Sequence, residues 1–293
     1  MVKRLRTVLA GLFGRAPSLP EGAPEVPAGL RVYAIGDIHG ERQILEDLLA
    51  LIGEDMARAD LGDMVRADLG DTGRAGRGEG GDGLRPLLVF LGDYVDRGAD
   101  SAGVLDRLCA GPLPGAGCRF LAGNHEEAML NFIKDPVVHA DWLGFGGAET
   151  LASYGIRASV GITDAARCRA LRDQLVERLP DRHRSFLTGL ESLLVLGDYI
   201  FVHAGIRPGR RIERQRRDDL LWIREPFLSS TAKHPKVVVH GHTIVDNPEM
   251  SCNRIAIDTG AYATGVLSAL VLDGAERRIL QSGRRPVVDP PAS

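Results

Sequence analysis

Short apolar runs that break off into glycine-containing turns recur along this chain. Leu30–Ile35, Leu87–Leu91, Arg119–Leu121, Tyr199–Val202 and Lys236–Val239 are brief, β-branched or Leu-rich, and each leads within a few residues to Gly. That composition and punctuation predict buried strands. From about Glu41 the apolar positions switch to helical spacing, with Ile44, Leu45, Leu48, Leu49 and Ile52 on one stripe. A second helical region is expected over residues 163–186, where Leu171, Leu175 and Leu179 recur every four residues and Pro180 interrupts the helix. Later runs, Arg254–Ile257, Val266–Leu272 and Arg277–Leu280, are expected to complete a second sheet. Together these elements predict an α/β (α+β) fold, a β-sandwich core flanked by helices.

The stretch after the first helix departs from this pattern. Arg58-Ala59-Asp60-Leu61-Gly62-Asp63 recurs as Arg66-Ala67-Asp68-Leu69-Gly70-Asp71, and a Gly-rich run follows to Gly83. Two copies do not make a solenoid, and no calcium-loop spacing is present, so residues 57–83 are expected to be a flexible insertion. Residues 1–28, basic at Lys3, Arg4 and Arg6 and then Pro- and Gly-rich, and residues 284–293 are expected to be disordered tails around one domain of residues 29–283. The apolar stretch from Val8 to Phe13 is too short and interrupted to span a bilayer, which leaves weak membrane-surface contact by the tail as the most it would provide.

Composition narrows the function classes. With 36 basic and 39 acidic residues the net charge is -3, so no basic excess points to nucleic acid. Cys109, Cys118, Cys168 and Cys252 show no CxxC spacing and fit free thiols in a reducing compartment, so the cytoplasm is the expected location.

The chemistry is concentrated where the five strands stop. Asp37, His39, Asp93, Asn124, His203 and His242 all lie in the turns that follow them. Carboxylate oxygens and neutral imidazole nitrogens suit divalent manganese, iron or zinc, and this many ligands suggest two ions. Loops leaving the carboxyl ends of strands in an open sheet face a shared crevice, which would bring the scattered residues together.

In chain order, Gly36-Asp37-Ile38-His39-Gly40, Gly92-Asp93-Tyr94-Val95-Asp96-Arg97-Gly98, Gly123-Asn124-His125-Glu126, His203-Ala204-Gly205 and Gly241-His242 resemble the signature of the phosphoprotein phosphatase branch of the calcineurin-like metallophosphoesterases. Trp142, Gly146-Gly147, Thr150-Leu151, Ser153-Tyr154-Gly155 and Leu221-Trp222-Ile223-Arg224 are also similar to its bacterial members. The resemblance implies that Asp37 and His39 hold one ion, that Asn124, His203 and His242 hold the other, and that Asp93 bridges them. Manganese is the expected metal, with iron and zinc compatible with the same ligands.

The same resemblance makes His125 the proton donor to the leaving group, with Asp96 behind its ring. Chemistry agrees, because an alkoxide is a poor leaving group and a carboxylate-oriented imidazolium is a suitable acid near neutral pH. Arg97 and Arg224 would grip the phosphate with Asn124, a guanidinium being a planar, permanently charged fork. The implied activity is that of a serine/threonine protein phosphatase acting on phosphorylated protein or a small phosphoester. Two alternatives stand beside it: a symmetrical bis(5'-nucleosyl)-tetraphosphatase, which shares these residues, and a non-catalytic phosphate-binding protein, which would be expected to lack ligands that this chain retains. Tyr262 receives no role from its local sequence.

Overall fold

The structure, a computed structural model, describes residues 22–68, 84–159, 161 and 164–283. All five apolar runs are strands, with small shifts at their ends. β1 (Leu30–Ile35), β2 (Arg85–Phe90) and β3 (Gly117–Phe120) pair in parallel. β4 (Leu193–Leu196), β5 (Tyr199–Val202), β6 (Val237–His240), β7 (Glu249–Met250) and β8 (Arg254–Ala256) form a second sheet in the order β4-β5-β6-β8-β7. The last two strands, β9 (Leu267–Asp273) and β10 (Glu276–Ser282), correct the sequence expectation. They complete the first sheet, not the second, in the order β10-β9-β1-β2-β3. β9 runs antiparallel to β1, from Arg31 opposite Asp273 to Ile35 opposite Ala269. Every residue of β9 is buried, as suits a strand covered on both faces, but an apolar run specifies that it is a strand and not which strand it joins.

Alternation along the strands divides the core. Tyr33, Ile35, Leu88, Phe90, Ala269 and Val271 face the helices, where they meet Leu45, Leu48, Leu49 and Ile52. Val32, Ala34, Val89, Leu91, Leu270 and Leu272 face the second sheet and pack on Phe201, Val239, Ile255 and Ile257. This is a β-sandwich with helices outside it, as the hydrophobic pattern predicts.

The helices are α1 (Arg42–Asp68), α2 (Ser101–Cys109), α3 (Asn124–Lys134), α4 (Gly147–Ser153), α5 (Ala165–Arg178), α6 (Asp181–Thr188), α7 (Arg217–Trp222) and α8 (Ala261–Thr264). Pro180 separates α5 from α6 as expected. The insertion expected at 57–83 is corrected at its start, because α1 continues through Asp68. Ala, Leu, Met and Arg in that segment are good helix formers and extend the helix past the repeat boundary; residues 69–83 lie outside the described residues.

The expected N-terminal tail is corrected as well. Val26 is 3% exposed and sits in the core between the sheets, with its N–H donating to the Gly274 carbonyl at 3.1 Å. The Tyr199 hydroxyl donates to the Pro24 carbonyl at 3.1 Å. Residues 22–28 therefore cover one end of the sandwich, which an apolar side chain stabilises by leaving water. Residues 1–21 and 284–293, assigned to tails, lie outside the described residues. No helix among the described residues is long and apolar enough to cross a membrane.

Candidate active site

β1 and β2 are parallel neighbours, as are β5 and β6, and their carboxyl ends deliver four of the five signature loops to one edge of the sandwich. The fifth, Gly123-Asn124-His125-Glu126, opens α3. Sharp backbone turns make the convergence possible. Among the described residues, the non-glycine residues with positive φ are His39 (46°), Asp93 (52°), Asp96 (74°), Arg97 (69°) and His242 (64°). Every one belongs to the expected site, and left-handed backbone at such residues carries a cost that persists only where the surroundings enforce it. Glycine is required where loops touch. At Gly92 (φ 103°) a Cβ would lie 2.6 Å from the Gly123 nitrogen, and at Gly123 it would lie 2.1 Å from Asp93 Oδ1.

The donor set fits divalent cations. Asp93 Oδ2 lies 3.5 Å from His39 Nε2, and Asp93 Oδ1 lies 3.5 Å from His203 Nε2, so the carboxylate offers one oxygen to each side. Nδ1 of His39 donates to the Val95 carbonyl and Nδ1 of His203 to the Leu91 carbonyl, both at 2.9 Å. These bonds assign the tautomer and leave each Nε2 unprotonated within 3.5 Å of Asp93, the arrangement found in metal-ligating histidines. Asn124 Oδ1 lies 2.8 Å from both His203 Nε2 and His242 Nδ1. A lone pair on His203 Nε2 facing a carbonyl oxygen at that distance is repulsive until a cation comes between them. Buried Asp37 accepts the His242 backbone N–H on Oδ2 at 3.0 Å, while its Oδ1 has no hydrogen-bond partner.

Among the described residues, two groups of His and Asp have ligand atoms within 4.8 Å of one another, one of Asp93, His203 and His242 and the other of His39, Asp93 and His125. The second contains His125, which sequence reasoning placed outside the ligands. Its other ring nitrogen is engaged: His125 Nδ1 lies 2.7 Å from Asp96 Oδ2.

Electrostatics agree with cation binding. Burial pushes both His39 and His242 down to about 3, so both rings are neutral at pH 7, the form that binds metal. Burial opposes ionisation of Asp93, but the surrounding histidines, His203 first, outweigh it and hold Asp93 below the usual carboxylate range. Burial, together with Asp258 and Asp93, raises Asp37 well above that range. Carboxylates this close and this dry resist ionising together, and a bound dication would instead favour their charged forms.

Around the donors stands the rest of the site. Asp96 is fully buried and accepts the Trp142 indole N–H at 2.9 Å and the Thr150 hydroxyl at 2.7 Å in addition to the His125 ring. Burial alone would lower the His125 pKa, but Asp93 and hydrogen-bonded Asp96 outweigh it and raise it. Arg97 Nη2 lies 3.2 Å from His125 Nε2, and its guanidinium carbon stands 4.6 Å over the Tyr262 ring. Arg97, Arg224, Asp93, Asn124, His125 and His242 line one cleft of about 540 Å³, shared with the aromatic residues Phe145, Trp222 and Tyr262.

Three contributors escaped the sequence. Glu126 closes the signature but had no role there; its Oε2 accepts the N–H groups of Asp93 and Gly123, both at 2.9 Å, and its Oε1 that of Tyr94 at 2.7 Å, tying two ligand loops together. Asp258 is buried beside Asp37 and pushed up to about 6 by burial. It follows the strand-like run Arg254–Ile257, as Asp93 follows Leu87–Leu91, and that shared position was the available signal. Tyr262 meets the His39 ring edge-on at 5.3 Å.

A two-sheet α/β sandwich with loops converging on buried Asp, Asn and His donors beside arginines defines a metal-assisted phosphoester hydrolase fold. A calcineurin-like phosphoesterase model matches residues 30–264, and the chain belongs to that family. The chain is similar to proteins named bis(5'-nucleosyl)-tetraphosphatase PrpE [asymmetrical] from two organisms. The Anoxybacillus flavithermus protein is 27% identical over 203 residues, covering 62% of this chain and 74% of that one. The Geobacillus thermodenitrificans protein is 26% identical over 199 residues, with the same coverage of 62% and 74%. A solved structure described as a candidate diadenosine tetraphosphatase superposes with a TM-score of 0.52 at 22% identity, over 90% of this chain and 96% of that one, which is a likeness of fold.

Proposed function

We propose that this chain is a two-metal phosphoester hydrolase whose substrates are nucleotides with a phosphate chain, dinucleoside tetraphosphates among them. The observation that carries the reaction is Asp93, with one oxygen toward His39 and the other toward His203. Asp37, His39 and Asp93 would hold one ion, and Asp93, Asn124, His203 and His242 the other; manganese is the metal proposed. When bound, such a pair supplies Lewis-acid charge and lowers the pKa of a water for in-line attack on phosphorus.

The chain's own residues do the rest. Arg97 and Arg224 take phosphoryl oxygens as planar forks, with Asn124 nearby, and stabilise the charge that builds there. A phosphoryl group that draws Arg97 away from His125 Nε2 leaves that atom to carry the proton delivered to the leaving oxygen. Asp96 fixes the ring from the other side and favours its charged form.

The nucleotide reading rests on the aromatic lining of the cleft and on the names of the two curated relatives. A serine/threonine protein phosphatase is the second reading, supported by the resemblance of the five signature segments to the phosphoprotein phosphatase branch. The test is a side-by-side assay of manganese-loaded protein on diadenosine tetraphosphate, a phosphoserine peptide and p-nitrophenyl phosphate. Turnover of the dinucleotide with kcat/KM at least about tenfold above the peptide is expected, and its products separate symmetrical cleavage (ADP alone) from asymmetrical cleavage (ATP and AMP). Turnover of the peptide without the dinucleotide would replace this reading with the second. No turnover of any ester by metal-loaded protein would leave a phosphate-binding protein.

A further inference from the structure

Trp222 is 42% exposed at the mouth of the cleft, whereas the chain's other tryptophan, Trp142, is 1% exposed. A large apolar ring left in water is unremarked on most surfaces. This one is held in place. Its indole N–H donates to Glu127 Oε2 at 3.2 Å, and Glu127 Oε1 accepts Arg217 Nε at 2.9 Å. Arg217 also donates to Ser192 Oγ at 3.1 Å. The helix that ends in Trp222 is anchored at Asp219, which accepts Arg207 Nη2 at 2.6 Å and Arg210 Nη1 at 3.2 Å. It is tied directly to a ligand loop as well, because the Leu220 carbonyl accepts the Ala204 N–H at 2.9 Å, one residue after His203. The ring then stands edge-on to His242 with centroids 6.3 Å apart.

Tyr262 occupies the corresponding place beside His39, but the Arg97 guanidinium already lies over its ring. The two rings therefore flank different ends of the donor cluster, and Trp222 is the one not serving the phosphate grip.

From this we infer that Trp222 is a stacking platform for a planar heteroaromatic base, positioned so that a phosphate chain attached to that base reaches the donors beside His242. An immobilised indole loses little entropy on stacking, and base-on-aromatic stacking is tolerant of which base is present. The subsite would recognise nucleotides as a class, purine or pyrimidine, and it rests on the nucleotide reading proposed above.

The experiment compares AMP with ribose 5-phosphate, which carries the same phosphate and no base. Full-length manganese-loaded protein is titrated at low temperature by tryptophan fluorescence and calorimetry, with ligand integrity checked by chromatography. AMP is expected to quench the emission and to bind at least about fivefold more tightly than ribose 5-phosphate, the low end of single-base stacking. Trp222→Ala should bring that ratio close to one, while Trp222→Phe, which keeps a ring, should retain most of it; circular dichroism confirms that each variant is folded. Equal affinity for the two ligands in the natural protein, or a base advantage that survives Trp222→Ala, overturns the platform. Either result alongside dinucleotide turnover removes the platform alone. A base advantage lost in Trp222→Ala, in a protein that hydrolyses only phosphopeptides, removes the nucleotide substrate and keeps the base site.

Discussion

Asp96→Asn separates the proposed acid from the proposed ligands. The Asp96 carboxylate is fully buried, with Oδ2 2.7 Å from His125 Nδ1. Asparagine keeps the shape: its carbonyl still accepts the His125 and Trp142 N–H groups, and its amide can donate to the Thr150 hydroxyl, whose proton is free to turn away. What is lost is the negative charge. Taking the charge centres of imidazolium and carboxylate as about 4 Å apart and an effective dielectric of about 20, the interaction removed is about 4 kcal/mol, or about three pKa units.

The His125 pKa, raised by Asp93 and Asp96 over the lowering effect of burial, should then fall. The protonated fraction near neutral pH should drop by about 10²–10³, within the range that general acids contribute. kcat toward an alkyl phosphate should fall by about that factor, and the alkaline limb of its pH–rate profile, where the acid loses its proton, should move to lower pH. Activity on p-nitrophenyl phosphate, whose phenolate leaves without a proton, should fall by less than about tenfold. Steady-state kinetics on both substrates, with metal content measured on the same samples, is the assay. Equal losses on the two substrates, or loss of bound metal, would refute the assignment of His125 and Asp96.

Three other predictions address separate parts of the molecule. Asp93→Asn should lose both ions and at least about 10²-fold in activity, because the shared carboxylate leaves both donor groups together; metal analysis after dialysis is the measurement, and retention of one equivalent per chain would contradict a bridging role. Arg224→Ala should weaken inhibition by inorganic phosphate by about tenfold or more, the value of a charge-assisted hydrogen bond, with metal content unchanged. His183, outside the site, lies with Nδ1 2.8 Å from the Tyr154 hydroxyl and Nε2 2.7 Å from Asp106 Oδ1. Burial lowers its pKa, although Asp106 opposes the shift. A histidine depressed in the fold contributes stability that is present above its unfolded pKa of about 6.5 and is lost as pH falls through that value, because the unfolded chain then binds the extra proton. Urea unfolding between pH 7 and 5 should therefore be steeper in pH for the natural protein than for His183→Gln, by at most about 1.4 kcal/mol per pH unit; parallel profiles would show that His183 is not the titrating group.

The strands, the helical stripe of α1 and the chemical character of the site are legible in the order of amino acids alone. Periodicity reports burial directly, so alternation along β1 is enough to put Tyr33 and Ile35 on one face and Val32 and Ala34 on the other. Residue type reports chemistry, so Asp, Asn and His after strand ends read as donors and Arg97 as a phosphate group's partner. Contacts between residues distant in the chain follow only from the three-dimensional fold. β9 and β10 joined the first sheet because pairing with β1 depends on which edge the returning chain can reach, and an apolar run carries no record of its partner. The positive φ at His39, Asp93, Asp96, Arg97 and His242 contradicts the local preference of those residues and is enforced by neighbouring loops. Glu126 reads as an ordinary helix-start acid until the backbone of the Asp93 loop is brought to its oxygens. Trp222 reads as one more apolar residue until Glu127, Arg217 and the anchored helix fix an exposed ring beside His242. One-dimensional patterns carry what each residue is and how deeply it is buried, while the identity of its neighbours comes from closure of the chain over long separations, which is where this site acquires its geometry.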